Sequence, residues 1–445
     1  MVKKYKLSMF NYYVNCENEV RLYNSLYGAN SLHIFRNKNI ERIHKIFLDE
    51  DYSDELLVEY LKKFGFIVEN TCDEKLLREQ KYNDVINQKK LFLVIMPTEN
   101  CNFNCVYCYE EHKNIVLSSF NQKAIINFVR KNIKEYTGLN VAWFGGEPLL
   151  NIDIIKSMSN EFINICKVAR KPYKSGITTN GYLLSGNLFK TLYDLHIREY
   201  QITIDGNKIT HDKQRPLKNG RGSYNKIISN LFEIKSLYKQ SNAEIIIRIN
   251  LTKEIITDIS AFLKLMESLY DDKRFSCQIN IASDWGGENI SNFRNKLINN
   301  KDYLQIFKNL IDQNIKINFA YHLQELTAPD FKCYAARKNA YTISADGMIY
   351  KCTGEFDLDL NKIGYISKDG NIIIDKNKEA LWTSLRFKMN NKKCIDCSYS
   401  GCCLFSPCPK NTILNDFTPT CPRTKDNVIN LIKLMDKMYF KECEV

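Results

Sequence analysis

Three thiols stand within eight positions in TENCNFNCVYCYEE, residues 98 to 111: Cys101, Cys105 and Cys108. A thiolate is both a nucleophile and a soft metal ligand, so a cluster of them on one short loop points to a metal or redox centre. A structural zinc ion usually takes four ligands in two pairs, whereas this loop offers three, with His112 the nearby histidine. Three thiolates suit a cubane iron-sulfur cluster, which they would leave with one iron open to an outside chelator.

The rest of the chain supports a metal role for clustered cysteines. It has 445 residues, room for two or three domains, and 44% hydrophobic content, ordinary for a globular protein. The N-terminus, MVKKYKLSMFNYY, lacks the apolar stretch and cleavage site of a secretory signal, and the longest apolar run, LFLVIM, is too short to span a bilayer. A cytoplasmic protein with no membrane contact is expected, and there disulfides are rare. Of 16 cysteines, Cys16, Cys72, Cys166, Cys277 and Cys443 stand alone and read as buried or inert thiols, while Cys333 to Cys421 contain a second group. The net charge of +12 comes from Lys and Arg scattered among Asp and Glu, without the basic block of a nucleic-acid binder. It would still favour an anionic small molecule or an acidic peptide on approach.

Something must hold the loop. Strand-like runs alternate with amphipathic stretches of helix length: LFLVIM then 119–135, NVAWF then 151–168, SGITT then 186–195, YQITI then 223–238, EIIIRINL then 255–269, and FSCQINIA. Such βα units build a parallel sheet flanked by helices, either doubly wound or an incomplete (β/α) barrel, and in both the site lies at the strand C-termini. The cysteine loop follows the first strand. GGEP (Gly145, Gly146, Glu147, Pro148) follows the second, TTNG with Asn180 the third, TIDG with Thr203 the fourth, and Arg248 and Asn250 lie on the fifth. Polar and glycine-rich residues therefore gather at one end of the sheet.

The C-x3-C-x2-C spacing, with an aromatic before the last cysteine, resembles the radical S-adenosylmethionine (SAM) enzymes over roughly residues 90 to 290. The resemblance implies a partial (β/α)6 TIM-like barrel in which Cys101, Cys105 and Cys108 bind a 4Fe-4S cluster whose open iron is chelated by SAM. Reductive cleavage of SAM would give a 5'-deoxyadenosyl radical that abstracts a substrate hydrogen. Tyr107 would lie beside the adenosine, and Glu147, with the adjacent backbone of Gly145, Gly146 and Pro148, would hold the methionine amine. Asn180, Thr203, Arg215 and Arg248 are candidates for the ribose and carboxylate, since a carboxylate asks for a cation or N–H donors. For Arg215 and Arg248 the competing reading is a plain ion pair.

The second group, Cys333, Gly347, Cys352, Cys394, Cys397, Cys402, Cys403, Cys408 and Cys421, resembles the SPASM extension of these enzymes, with ISADGMIYKC (343–352) as its hairpin. The resemblance implies two auxiliary 4Fe-4S clusters, three in all. Cys394, Cys397, Cys403 and Cys421 would hold the outer one, and Cys333, Cys352 and Cys408 the inner. This chain departs from the pattern: the cysteine expected at Pro407 comes at Cys408, Cys402 is additional, and CYAARKNAY has no second cysteine. The inner cluster is thus expected to keep an open iron unless Cys402 closes it.

Residues 1–88 combine short strands, helical stretches near 39–48 and 54–64, GFIVE and a charged linker, DEKLLREQKYND. They resemble the winged-helix-like domain that recognises leader peptides in many ribosomal-peptide maturases, where a peptide adds as a strand to a sheet edge. Expected domains are 1–88 for leader recognition, 89–320 for the radical SAM barrel, and 321–445 for SPASM with a C-terminal helix. The expected function is oxidative modification of a ribosomally made precursor peptide, forming Cys-sulfur-to-carbon thioethers of the sactipeptide or ranthipeptide type, with a flavodoxin or ferredoxin as reductant. The alternatives are another SPASM peptide oxidase, forming carbon-carbon bonds or formylglycine, and, more distantly, a basic zinc-ribbon nucleic-acid binder.

Overall fold

A computed structural model describes residues 4–237, 239–282, 293–298, 333–383, 391–403, 408–416, 418, 420, 421, 423–435 and 439–443, with isolated positions (305, 306, 308–310, 312, 313 and 326) between. The chain forms two compact units: residues 1–88 with 319–337 and 382–445, and residues 89–318 with 338–381.

In the first unit, Tyr5–Leu7 (β1), Asn11–Cys16 (β2), Glu19–Asn24 (β3), Leu32–Arg36 (β4), Lys38–Leu48 (α1), Glu55–Lys63 (α2), Ile67–Glu69 (β5) and Glu74–Ile86 (α3) follow in order. Apolar faces assemble them. Ile43 and Ile46 of α1 and Leu57, Val58 and Leu61 of α2 bury against Val20, Leu22 and Phe35 of the sheet. The segment expected as a charged linker is instead the helix α3. Asp73 caps it by accepting from the backbone N–H groups of Lys75 and Leu76, and Arg78, Tyr82, Val85 and Ile86 form its buried face.

The sheet β2, β3, β4 does not end with the N-terminal residues. Lys441–Glu442 (β16) adds parallel to β4, with Lys441 opposite His33. The Arg21 Nη1 donates to the carbonyls of Ile432 (2.7 Å) and Met435 (2.8 Å), tying down the last helix, Val428–Leu434. The expected 321–445 segment therefore divides: 382–445 packs with residues 1–88, and 338–381 packs with the barrel residues.

The second unit is built on one sheet. Lys90–Ile95 (β6), Gly138–Trp143 (β7), Tyr173–Thr179 (β8), Ile197–Thr203 (β9), Glu244–Leu251 (β10) and Phe275–Ile281 (β11) are parallel neighbours in that order. Between them run Ser119–Asn132 (α4), Ile152–Ala169 (α5), Gly186–Asp194 (α6), Lys208–Gln214 (α7), Tyr224–Leu237 (α8) and Lys253–Tyr270 (α9). Four of these start where a side chain answers an unpaired helical N–H: Ser118, Ser185, Asn207 and Thr252 each accept from a backbone N–H three residues on. Leu91, Leu93 and Ile95 on β6 and Ile245, Ile247 and Ile249 on β10 alternate into the core. Among the described residues the strands do not close into a ring, since β11 is one end of the sheet. At the other end Ala340–Ile343 (β12) adds parallel to β6, followed antiparallel by Met348–Tyr350 (β13), Lys362–Ile366 (β14) and Ile372–Ile374 (β15). The expected hairpin at ISADGMIYKC is β12 and β13, turning at Gly347 with φ of +91°. Among the described residues no helix is long and apolar enough to cross a membrane.

Candidate functional site

The loop after β6 carries the cysteines, and three neighbouring segments hold it. From the side of α7, Asn104 N donates to Pro216 O (2.9 Å), Val106 N to Gln214 O (3.0 Å) and Lys218 N to Asn102 O (2.9 Å). From the loop after β8, Asn180 Nδ2 donates to Asn102 Oδ1 (2.7 Å). From the loop after β7, Glu147 N donates to Asn100 O (2.9 Å). The glycines of GGEP allow this approach: a Cβ on Gly145 would lie 2.3 Å from Thr98 O, and one on Gly146 2.3 Å from Asn100 O.

One cleft at the C-terminal ends of the strands is lined by Cys101, Cys105 and Cys108 together with Tyr107, Gly145, Gly146, Asn180, Thr203, Arg215 and Arg248. Ten of the twelve expected cofactor and cysteine positions therefore meet there, while Glu147 and Pro148 lie behind the wall. Glu147 is fully buried. Its Oε1 accepts from Thr179 Oγ1 (2.7 Å) and Leu149 N (3.0 Å) and its Oε2 from Asn180 N (2.7 Å), so its carboxylate ties the β7 loop to the β8 loop. Burial raises its pKa, partly offset by these hydrogen bonds.

Sequence reasoning missed Asp205, which follows Thr203 and is fully buried. It accepts from the Tyr107 hydroxyl and from Asn250 N (2.9 Å), while Arg215 Nη1 (2.6 Å) and Asn250 Nδ2 (3.2 Å) donate to the Tyr107 oxygen. Asp205 N in turn donates to His211 Nδ1 (3.1 Å). The aromatic between two cysteines is thereby pinned from β9, β10 and α7 at once. TIDG marked the end of a strand, but nothing local in it said that its carboxylate would face the cysteine loop. Glu110 was missed as well: it lines the cleft, and burial, with Glu99 nearby, pushes its carboxyl up to about 8.

The donor set fits an iron-sulfur cluster. Burial holds the thiols protonated, Cys101 pushed up to about 12 and Cys105 and Cys108 upward for the same reason, with the Arg215 charge acting in the other direction at Cys101 and Cys105. Loading with metal must therefore release protons. Among the described residues no group of three or more His, Cys, Asp or Glu converges on a single-ion site. Cubane thiolates each bind a different iron, so they need to face one cleft rather than one point. His112 Nε2 lies 3.4 Å from Cys108 Sγ.

In the first unit, the Cys394 thiol has Cys403, Cys421 and Cys397 as its electrostatic neighbours. Cys402 is buried, its Sγ 3.4 Å from Tyr399 O and its thiol beside Tyr23 and Tyr12. Cys333 and Cys408 belong to this unit and Cys352 to the other, where Gly354 N donates to Cys352 Sγ (3.2 Å).

Residues 95–266 match the Radical SAM superfamily. The chain is 30% identical over 147 residues to an uncharacterized protein of Methanocaldococcus jannaschii, 32% of this chain and 48% of that protein, so it spans about half that relative's length. It is 28% identical over 371 residues to the cysteine-type anaerobic sulfatase-maturating enzyme of Clostridium novyi, covering 76% of this chain and 92% of that enzyme. Among solved structures, native anSMEcpe with bound AdoMet and Cp18Cys peptide superposes with a TM-score of 0.56 at 19% identity, over 78% of this chain and 100% of that one, a likeness of fold. The cysteine loop and most of the parallel sheet that carries it fall within residues 95–266, a radical SAM domain.

Proposed function

We propose that the protein modifies a ribosomally made precursor peptide, joining a cysteine sulfur to a carbon as a thioether. A cluster on Cys101, Cys105 and Cys108 with SAM would supply a radical able to take a hydrogen atom from the peptide. The chain's part is to orient SAM and exclude water. Arg215 and Arg248 offer cationic donors to its carboxylate, and Asn180 and Thr203 offer polar contacts to the ribose. Two auxiliary 4Fe-4S clusters would complete the enzyme, the outer on Cys394, Cys397, Cys403 and Cys421, the inner on Cys333, Cys352 and Cys408.

The observation that carries the thioether reading is the burial of Cys402 against Tyr399 and Tyr23. On this reading Cys333, Cys352 and Cys408 would hold the inner cluster without Cys402, and the cluster would supply a site for the peptide thiolate and an acceptor for the electron released as the thioether forms. Cys402→Ala is expected to retain crosslinking and the inner cluster, read by mass spectrometry of the peptide and by iron content. Loss of that cluster in Cys402→Ala would reject the clamp.

A second reading is favoured by the match to 92% of a sulfatase-maturating enzyme. Here the chain would oxidise a Cys or Ser side chain without crosslinking. Formylglycine from Cys changes the peptide mass differently from a thioether, and because formylglycine from Ser loses two hydrogens as a thioether does, reaction with a carbonyl-specific hydrazide separates that case. Under either reading residues 1–88 would bind the leader, and a flavodoxin or ferredoxin in the cytoplasm would supply electrons.

A further inference from the structure

Arg78 lies on α3 and is 3% exposed. Its Nη1 donates to the carbonyl oxygens of Cys394 (3.3 Å) and Ile395 (2.9 Å) and to Ser400 Oγ (2.6 Å). Ser400 Oγ passes the link on, donating to the carbonyl of Cys397 (2.6 Å). One guanidinium therefore spans the whole C-x2-C turn, with its carbon 5.8 Å from the centre of the Phe10 ring. Its charge also acts on the Cys397 and Cys394 thiols, with Asp396 and Glu79 as the nearby anions. Asp396 is engaged with Lys75 at 2.7 Å. A second cation, Lys425, brings its Nζ to 3.5 Å from Cys421 Sγ.

We propose that Arg78 is a positioning residue for the outer cysteine quartet: it fixes the turn that presents Cys394 and Cys397 and offsets the negative charge of an iron-sulfur cluster held there with Cys403 and Cys421. The inference rests on the reading that these four thiols bind a 4Fe-4S cluster. Four thiolates leave such a cluster anionic, and reduction adds one more negative charge. A fixed cation in a poorly solvated site favours the reduced form, so removing it lowers the reduction potential. Lysine keeps the charge but loses the planar fork, whose Nη1 is held at the position that meets all three acceptors.

The roles of charge and fork separate in two variants of the full chain, reconstituted anaerobically with Cys101, Cys105 and Cys108 changed to Ala so that only auxiliary clusters remain. The signal that an added Cys394→Ala removes is titrated by electron paramagnetic resonance, and iron loss to a chelator is timed. Arg78→Met should shift the midpoint to more negative potential and speed iron loss several-fold. Arg78→Lys should keep the midpoint near that of the parent while losing iron faster. An arginine that served the fold alone would leave the midpoint unmoved. Parent-like midpoint and iron loss in Arg78→Met overturn the proposal, and if that variant does not fold, parent-like iron loss in Arg78→Lys does so. A parent that takes up no iron defeats the cluster reading itself, and the inference falls with it.

Discussion

His33 shows what burial does to a single side chain in this protein. It is fully buried, its Nδ1 is 2.7 Å from Tyr60 Oη, and burial lowers its pKa to about 4. A histidine held neutral costs nothing above its unfolded value of 6.5, but as pH falls from 6.5 toward 4 the unfolded chain takes a proton that the folded one refuses. Stability of the first unit should therefore drop across that window, by at most about 3 kcal/mol from this residue. Thermal melts of wild type and His33→Gln at pH 7 and pH 5 check it: the variant should show the smaller acid loss, and equal losses would place the acid sensitivity elsewhere. The site follows the same physics with a different outcome. Asp205 and Arg215 share one buried network through Tyr107, so both charges stay paired when the cleft is dry.

Among elements, the loop after β7 makes the most exacting contact. Gly146 sits where a Cβ would meet the backbone of Asn100 at 2.3 Å, and a backbone neighbour cannot swing aside as a side chain can. Gly146→Ala should push the cysteine loop away, destabilise the apo protein by about 1–3 kcal/mol, and lower the iron bound at Cys101, Cys105 and Cys108. Full iron loading in that variant would contradict this. Much of this architecture was legible in the sequence because its signals are local. Apolar alternation marked β6 to β11, and helices expected near 151–168 and 255–269 are Ile152–Ala169 and Lys253–Tyr270. Several helices were missed, among them α7 and α3. α7 is seven residues long, too short for periodicity to register. α3 looked charged because its buried face includes Arg78, yet Asp73 and the spacing of Tyr82, Val85 and Ile86 would have revealed it. What no local pattern carries is pairing between distant segments: β16 beside β4, or Asp205 against Tyr107.

At the scale of the whole molecule, residues 1–88 share a unit with the C-terminal cysteines. Tyr12 on β2 has Cys402, Cys397 and Cys403 as electrostatic neighbours, and Arg78 grips their turn. Deleting residues 1–88 should therefore cost more than the proposed leader recognition: iron at the outer quartet should fall along with any turnover of a precursor peptide. A truncated enzyme that kept its full iron would show that the N-terminal residues do not support the outer quartet. The central claim, that the cleft at Cys101, Cys105 and Cys108 runs radical SAM chemistry, is tested most directly by pairing iron content with SAM cleavage. Anaerobically reconstituted wild type, given SAM and a strong reductant, should hold about twelve irons per chain and form 5'-deoxyadenosine. The variant with all three cysteines changed to Ala should hold about eight and form none. Deoxyadenosine from that variant, or its absence from fully loaded wild type, would contradict the account.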